Sequence, residues 1–268
     1  MLIDTHCHIH ERDFPLDLDS VLAASSAANV KTIICVGTSM QSSRDAIDFS
    51  KKYFDDSIKI FAILGVHPHE TANFSLKSLE ELEKLIPENH KVVKGIGEIG
   101  LDYFYEFAPR ATQQKACEMQ LQLATDFNLP ISFHVRDDRE NSGAAWRDFW
   151  AILNNFSRSK IRGVLHSYTE QNRDNLEKGL AQDFYFGVNG IATFAKPNEQ
   201  SLWRDIPLTR MVLETDAPFL APVPFRGRAN QPSYIPQIAQ FLANLKNETF
   251  VNVAKITTAS AEKLFQIW

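Results

Sequence analysis

Leu2-Ile3-Asp4-Thr5-His6-Cys7-His8 opens the chain, an apolar run that breaks off on two histidines. Runs of the same kind recur at Thr32–Gly37, Ile60–Val66, Val92–Gly97, Ile131–Val135, Arg162–His166, Phe184–Val188 and Arg210–Glu214. Between them the apolar spacing turns helical, over Asp17–Asn29, Ser42–Phe54, Ser75–Ile86, Thr112–Phe127, Ala144–Phe156, Glu170–Ala181 and Glu199–Asp205. Two more helical stretches, Ser233–Leu245 and Glu248–Phe265, follow the last strand. Ser75 is placed to cap one helix, and Thr112, after Pro109, to cap another. Short buried runs alternating with amphipathic helices imply parallel strands joined by right-handed crossovers. Eight such runs in 268 residues predict a (β/α)₈ TIM barrel, with residues 1–268 as one domain. A doubly wound open sheet is the structural alternative.

Composition narrows the function classes. The hydrophobic share of 44% and charged share of 23% are those of a globular protein without low-complexity tracts. Lys plus Arg number 28 against 33 Asp plus Glu, a formal net charge of −5. That balance argues against a broad basic nucleic-acid surface, though not against an anionic substrate held by local cations. Cys7, Cys35 and Cys117 form no CxxC pair, so a disulfide framework is excluded and a reducing cytoplasm is the expected location. The start of the chain has no signal-peptide pattern, and no apolar run reaches membrane-spanning length. No obligate protein partner is evident.

In an extended chain, residues i and i+2 share a face, so His6 and His8 point the same way and Cys7 points opposite. Two converging imidazoles suit one divalent ion, and a lone pair of histidines by itself is weak evidence. Their company strengthens it. Glu98, His134, His166 and Asp216 stand at or just past the ends of the fourth, fifth, sixth and eighth runs. In a barrel those ends form one face, where active sites lie. Four histidines and two carboxylates suit zinc or another first-row divalent ion. Six ligands exceed what one zinc needs and fit two adjacent ions bridged by a carboxylate. His10 is expected on the surface or in a loop, and His69 in a structural role. Trp146, Phe149 and Trp150, at i, i+3 and i+4, read as one inward helix face.

The chain resembles the TatD-type metal-dependent deoxyribonucleases, among the amidohydrolase-like metal barrels. The carriers are residues 3–8, Gly65-Val66-His67-Pro68-His69, Gly97-Glu98-Ile99-Gly100-Leu101-Asp102-Tyr103, His134-Val135-Arg136, Gly163-Val164-Leu165-His166-Ser167, Leu213-Glu214-Thr215-Asp216-Ala217-Pro218 and residues 226–232. The resemblance implies that His6, His8 and Asp216 hold one metal, that His134 and His166 hold the second, and that Glu98 bridges both. Departures fall beside the ligands. Ser167-Tyr168-Thr169-Glu170 replaces a Phe-Thr-Gly-like run, Asp137-Asp138-Arg139-Glu140 is unusually charged, and Ala229-Asn230-Gln231 replaces a more basic triplet. They bear on substrate preference more than on metal binding.

The implied activity is a hydrolase that cleaves phosphodiester bonds from a DNA end, single-stranded by expectation, with water activated by two divalent ions such as Zn, Mg or Mn. Asp216 is the candidate general base beside Glu98. His67, Arg136, Arg226 and Arg228 are the candidate substrate-binding residues, the arginines because a guanidinium fork suits phosphate. Asp102 is expected either to orient a ligand histidine or to cap its loop. Tyr103, Phe104, Tyr105 and Phe107 offer stacking for bases, with simple packing the alternative for at least two of them. A small-molecule amidohydrolase or esterase on the same metal pair is the competing activity, and a metal-binding scaffold without turnover the competing class. Two bound divalent ions would bring the formal charge close to neutral.

Overall fold

The computed structural model describes residues 1–53, 57–140 and 142–267. Its eight strands are β1 (Leu2–Cys7), β2 (Val30–Val36), β3 (Lys59–Leu64), β4 (Val93–Asp102), β5 (Ile131–Arg136), β6 (Gly163–Leu165), β7 (Tyr185–Val188) and β8 (Met211–Leu213). Each pairs in parallel with its neighbour in sequence order. The ring closes between β1 and the chain after β8. Cys7 bridges Ala217 in parallel, the His8 N–H donates to the Ala217 carbonyl at 2.8 Å, and the Thr5 hydroxyl donates to the Leu213 carbonyl at 2.9 Å. The chain is a (β/α)₈ TIM barrel, and the open sheet is excluded.

The helices are α1 (Leu18–Ala27), α2 (Met40–Lys52), α3 (Leu76–Glu88), α4 (Arg110–Asp126), α5 (Ala144–Leu153), α6 (Arg173–Ala181), α7 (Ser201–Asp205), α8 (Ile235–Lys246) and α9 (Phe250–Phe265). Side-chain caps start most of them: Asp17, Ser39, Ser75, Asn172 and Thr249 each accept an N–H of the first turn. α4 begins two residues before the expected Thr112. Pro109 occupies its cap position without a side-chain bond, and its fixed φ of −55° is already near-helical. Phe54, the expected end of α2, lies outside the described residues. None of the described helices is long and apolar enough to cross a membrane.

Strand β4 differs most from expectation. It continues past Gly97 to Asp102, so Glu98 lies inside the strand instead of terminating it. Its glycines serve a close approach to the neighbouring strand. Gly100 sits at φ +146°, and a Cβ there would lie 1.9 Å from the His134 carbonyl oxygen. The strand can therefore carry Glu98 and Asp102 along β5 toward His134.

Two apolar layers hold the barrel. Outside, the strands pack on the helices, and Trp146, Phe149 and Trp150 of α5 face inward as their spacing predicts. Inside, Ile3, Ile34, Phe61, Ile63, Val164, Tyr185 and Val212 fill the lower half, with Leu264, Phe265 and Ile267 from the end of the chain. The Thr258 hydroxyl donates to the Met1 carbonyl and the Ser260 hydroxyl to the Thr209 carbonyl, fastening α9 to the strand starts. This plug leaves the opposite mouth as the site of chemistry. Truncating the buried Phe265 to Ala is expected to lower stability by about 3–5 kcal/mol, as for a large side chain removed from a core that cannot collapse. Equilibrium urea unfolding measures it, and Phe265→Leu should cost far less.

Candidate metal centre

The polar mouth begins at β1. His6 lies within the strand and His8 just beyond it, and a register shift between Asp4 and Cys7 turns both rings to the barrel axis. Their Nε2 atoms stand 3.3 Å apart. His8 Nδ1 is 2.8 Å from the Val36 carbonyl, which can only accept, so Nδ1 carries a hydrogen and Nε2 is the ring atom turned inward. Asp216 Oδ1 is 3.4 Å from His8 Nε2 and 3.8 Å from His6 Nε2. A tetrahedral zinc with bonds of ~2.0–2.1 Å separates its ligand atoms by about 3.3–3.4 Å, so these three donors fit such an ion.

Glu98 is the hub of the rest. Only 4% exposed, it has His134 Nδ1 at 2.6 Å, His6 Nε2 at 3.3 Å, His67 Nε2 at 3.5 Å and His166 Nε2 at 3.7 Å. Burial raises its pKa, but the surrounding imidazoles outweigh burial and hold the carboxyl well below its ordinary range. Among the described residues, three overlapping donor groups result: His6, His8 and Asp216; His6, Glu98 and His166; His67, Glu98 and His134. His134 and His166, expected as partners on one ion, share none of these groups.

Each histidine is fixed from behind. His134 Nε2 lies 3.0 Å from Asp102 Oδ2, leaving Nδ1 on the Glu98 side. Burial alone would lower the His134 pKa, yet Asp102 and Glu98 raise it to about 9. His166 Nδ1 is 3.1 Å from the fully buried Glu214, and burial is again outweighed, here by Glu214 and Glu98, giving a pKa of about 10. His67 differs. Its Nδ1 accepts the His69 N–H, so Nε2 holds the proton, and burial pushes its pKa down to about 3. In that tautomer His67 is a neutral donor more than a ligand.

Asp102 does both things expected of it as alternatives. Oδ2 faces His134, while Oδ1 accepts the N–H groups of Phe104 and Tyr105. His69 stands 3.0 Å from the same carboxylate, a structural place. His10 is in a loop but buried, next to the Ser42 hydroxyl, not on the surface. Ser42 of α2 and Glu11 of the loop after β1 close around it, the Ser42 hydroxyl donating to the Glu11 carboxylate and His10 Nε2 lying 3.5 Å from the same carboxylate.

The donors open into a cleft of about 710 Å³, and Arg136 is the one arginine among the described residues lining it. Its guanidinium lies over Phe104 at 4.0 Å and Tyr105 at 4.9 Å. Arg226 and Arg228 are exposed on the eighth loop and do not line the cleft; Arg226 covers Phe194 at 3.8 Å and donates to the Ala221 carbonyl. Of the aromatic loop, Tyr103 is buried and Phe104 partly covered, whereas Tyr105 and Phe107 are 45% and 65% exposed and stack on each other.

Three positioning residues escaped the sequence reading. Glu214 accepts the Ser167 N–H at 2.6 Å, and a Cβ on Gly187 would strike its carboxylate at 2.2 Å. Asp4, its pKa raised to about 7 by burial against the pull of Thr215, accepts from the Thr215 N–H and hydroxyl. Asn230 donates to the Thr215 and Phe219 carbonyls on either side of Asp216, which sits at φ +59°. That left-handed conformation is sparsely populated outside glycine, and Asn230 holds the chain in it. Strand-end acids spaced two apart, Asp4 with His6 and Glu214 with Asp216, were the available signal.

The model of the TatD related DNase family matches residues 3–266. The chain belongs to that family. The metal-dependent hydrolase YabD of Bacillus subtilis is 34% identical over 270 residues, with all of both chains covered. The 3'-5' ssDNA/RNA exonuclease TatD of Salmonella typhimurium is 29% identical, with 99% of each chain covered. The crystal structure of the TatD homologue YJJV of Escherichia coli superposes with a TM-score of 0.87 at 26% identity, covering 100% of this chain and 98% of that one. The chain is thus a TatD-family metal-dependent hydrolase with histidine–carboxylate clusters able to bind metal. Glu214→Gln should leave the fold intact but weaken Zn²⁺ or Mn²⁺ binding by about 10–100-fold, measured by competition with a chromogenic chelator. Unchanged affinity would mean that Glu214 supports only the loop at Ser167.

Proposed function

We propose that the protein is a nuclease that hydrolyses phosphodiester bonds at nucleic-acid ends with two divalent ions, single-stranded DNA being the preferred substrate. One observation carries the reading: Glu98 belongs to two donor groups and His6 to two, so the groups adjoin around a shared carboxylate instead of forming separate sites. Ligands for two neighbouring ions would be His6, His8 and Asp216 on one side, His134 and His166 on the other, with Glu98 between. Bound there, zinc, magnesium or manganese supplies Lewis acidity for the phosphoryl oxygens and acidifies the attacking water.

The chain's own groups do the remainder. Asp216 is held at the mouth by Asn230, and a second carboxylate oxygen is available to take the proton from the attacking water. The neutral His67 donates from Nε2 to a phosphoryl oxygen. Arg136, at the lip of the cleft, offers its fork to the adjoining phosphate, and Tyr105 and Phe107 stack unpaired bases. Arg226 and Arg228, outside the cleft lining, are not needed for this geometry. The acidic chain offers no wide cationic face for a duplex, which favours local handling of an end. The relative named as a 3'-5' ssDNA/RNA exonuclease supports the same substrate class.

Metal-loaded protein should shorten end-labelled single-stranded DNA progressively from one end. Asp216→Asn should lower that rate by about 10²–10⁴-fold. Metal content is measured in parallel, because a variant that keeps both its ions and near-normal turnover removes the base role. Turnover confined to a panel of small esters or amides would instead make the cleft a small-molecule site.

A further inference from the structure

Beside the metal cleft lies a second cavity of about 480 Å³, under the loops that follow β5 and β6. The two spaces share a wall made of Val135, Arg136, His166, Ser167 and Thr169. None of the groups placed above in binding or hydrolysis accounts for the far side of this cavity. Its size falls within the range of small-ligand sites, roughly 300–1,000 Å³.

The lining says what it would accept. Phe104, Trp146 and Tyr168 supply flat apolar surface. The charged groups facing it are Asp137, Glu170, Arg136 and His166. Asp137 is already committed, both its oxygens accepting backbone N–H groups at Gly143 and Ala145. The Arg136 guanidinium is spread over Phe104 and Tyr105 at the lip. Two carboxylates face two cationic groups, so the interior carries no surplus of positive charge to hold a phosphate. It suits an uncharged planar group instead.

Two polar side chains of the lining offer complementary groups to an occupant. Glu170 accepts the Asn172 N–H through Oε1, and the Gln171 N–H and the Trp146 indole also bear on its carboxylate, which with about four lone-pair sites keeps capacity to accept one bond more. It is half-buried, and burial raises its pKa. Asn175 accepts from the Trp150 indole through Oδ1, so what it can offer an occupant is its Nδ2 donor. An acceptor and a donor between aromatic walls match the edge of a nucleobase that carries an amino group. Ser167 fixes the approach from the metal side. It stands at φ +48°, with its N–H donated to Glu214 and its hydroxyl accepting from Asn189. The segment Ser167-Tyr168-Thr169-Glu170 thus runs from the histidine of the metal cleft to the acceptor of the side cavity.

We propose that this side cavity seats the base of the nucleotide whose phosphate lies in the metal cleft, with Glu170 and Asn175 reading an amino-bearing edge such as that of cytosine. The inference rests on the nuclease reading for the identity of the linked phosphate, but the cavity's preference can be measured without any cleavage.

Two measurements on the full chain separate the possibilities. In the first, manganese-loaded protein cleaves labelled single strands that end in cytosine, in thymine or in an abasic residue. The abasic strand should be cut about tenfold more slowly than the cytosine strand, as expected for loss of a stacked base. In the second, cytidine and uridine titrate the protein without added metal, followed by tryptophan fluorescence. Cytidine should bind several-fold more tightly, on the order of one hydrogen bond. Glu170→Leu should abolish the preference for cytidine over uridine while leaving the slower cleavage of the abasic strand, which rests on the aromatic walls. Glu170→Gln keeps an oxygen for Asn172 but presents an amide NH2 in place of the acceptor, so it should lose or reverse the cytidine preference with the loop intact, which distinguishes base reading from collapse of the loop. Equal cleavage of all strands together with no nucleoside binding overturns the proposal and leaves the nuclease reading standing. Glu170-dependent cytidine binding with no strand cleaved supports the cavity's assignment and overturns the nuclease.

Discussion

Burying Glu98 is the constraint on which this mouth of the barrel is built. A carboxylate removed from water is tolerated only when partners replace the solvent it has lost. Four imidazoles do so here, the nearest at 2.6 Å. Each of those rings must then be held, because a ring free to turn would leave the charge exposed to an apolar wall. His134 leans on Asp102, His166 on Glu214, His67 on the His69 backbone, and His6 on the Ser132 hydroxyl. These supports also shape the rim. Asp102 orders the aromatic loop through Phe104 and Tyr105, and Glu214 orders the sixth loop through Ser167. Centre and rim are therefore one polar network, with Glu98 at its middle.

Much of this was legible in the sequence. Apolar runs alternating with amphipathic helices carry the barrel, because strands buried on both faces must be apolar throughout. The ligating residue types stood at run ends, and the barrel brings run ends together. Other features were not legible, for physical reasons that differ. The fourth run read as ending at Gly97, since nothing in one strand's sequence reveals that its neighbour's backbone passes where a Cβ on Gly97 or Gly100 would be. His10 read as a surface or loop residue, and it is in a loop; its burial was not legible because it depends on Ser42, which is distant in the chain. Asn230 looked like an ordinary loop residue; its importance lies in two carbonyls flanking Asp216. Arginines on a long loop looked suited to a substrate, yet loop composition does not say which way the loop folds, and Arg226 lies over Phe194.

The distribution of charge reconciles an acidic chain with an anionic substrate. Net charge governs long-range attraction, whereas binding in a cleft depends on groups within a few ångströms. Arg136 stands at the lip shared by both cavities, its guanidinium spread over two rings and, among the described residues, in no ion pair with a carboxylate.

Closure of the barrel has a consequence in time. His6 and His8 come from the first strand, Asp216 from the segment after the last, and the floor beneath them from the helix that ends at Phe265. A ribosome releases these pieces at opposite ends of synthesis. The first donor group cannot exist until more than two hundred residues have been made and the ring has shut, so contacts this distant in sequence form late. An ion held by His6, His8 and Asp216 would therefore bind only once the ring has shut, which ties its capture to closure of the barrel.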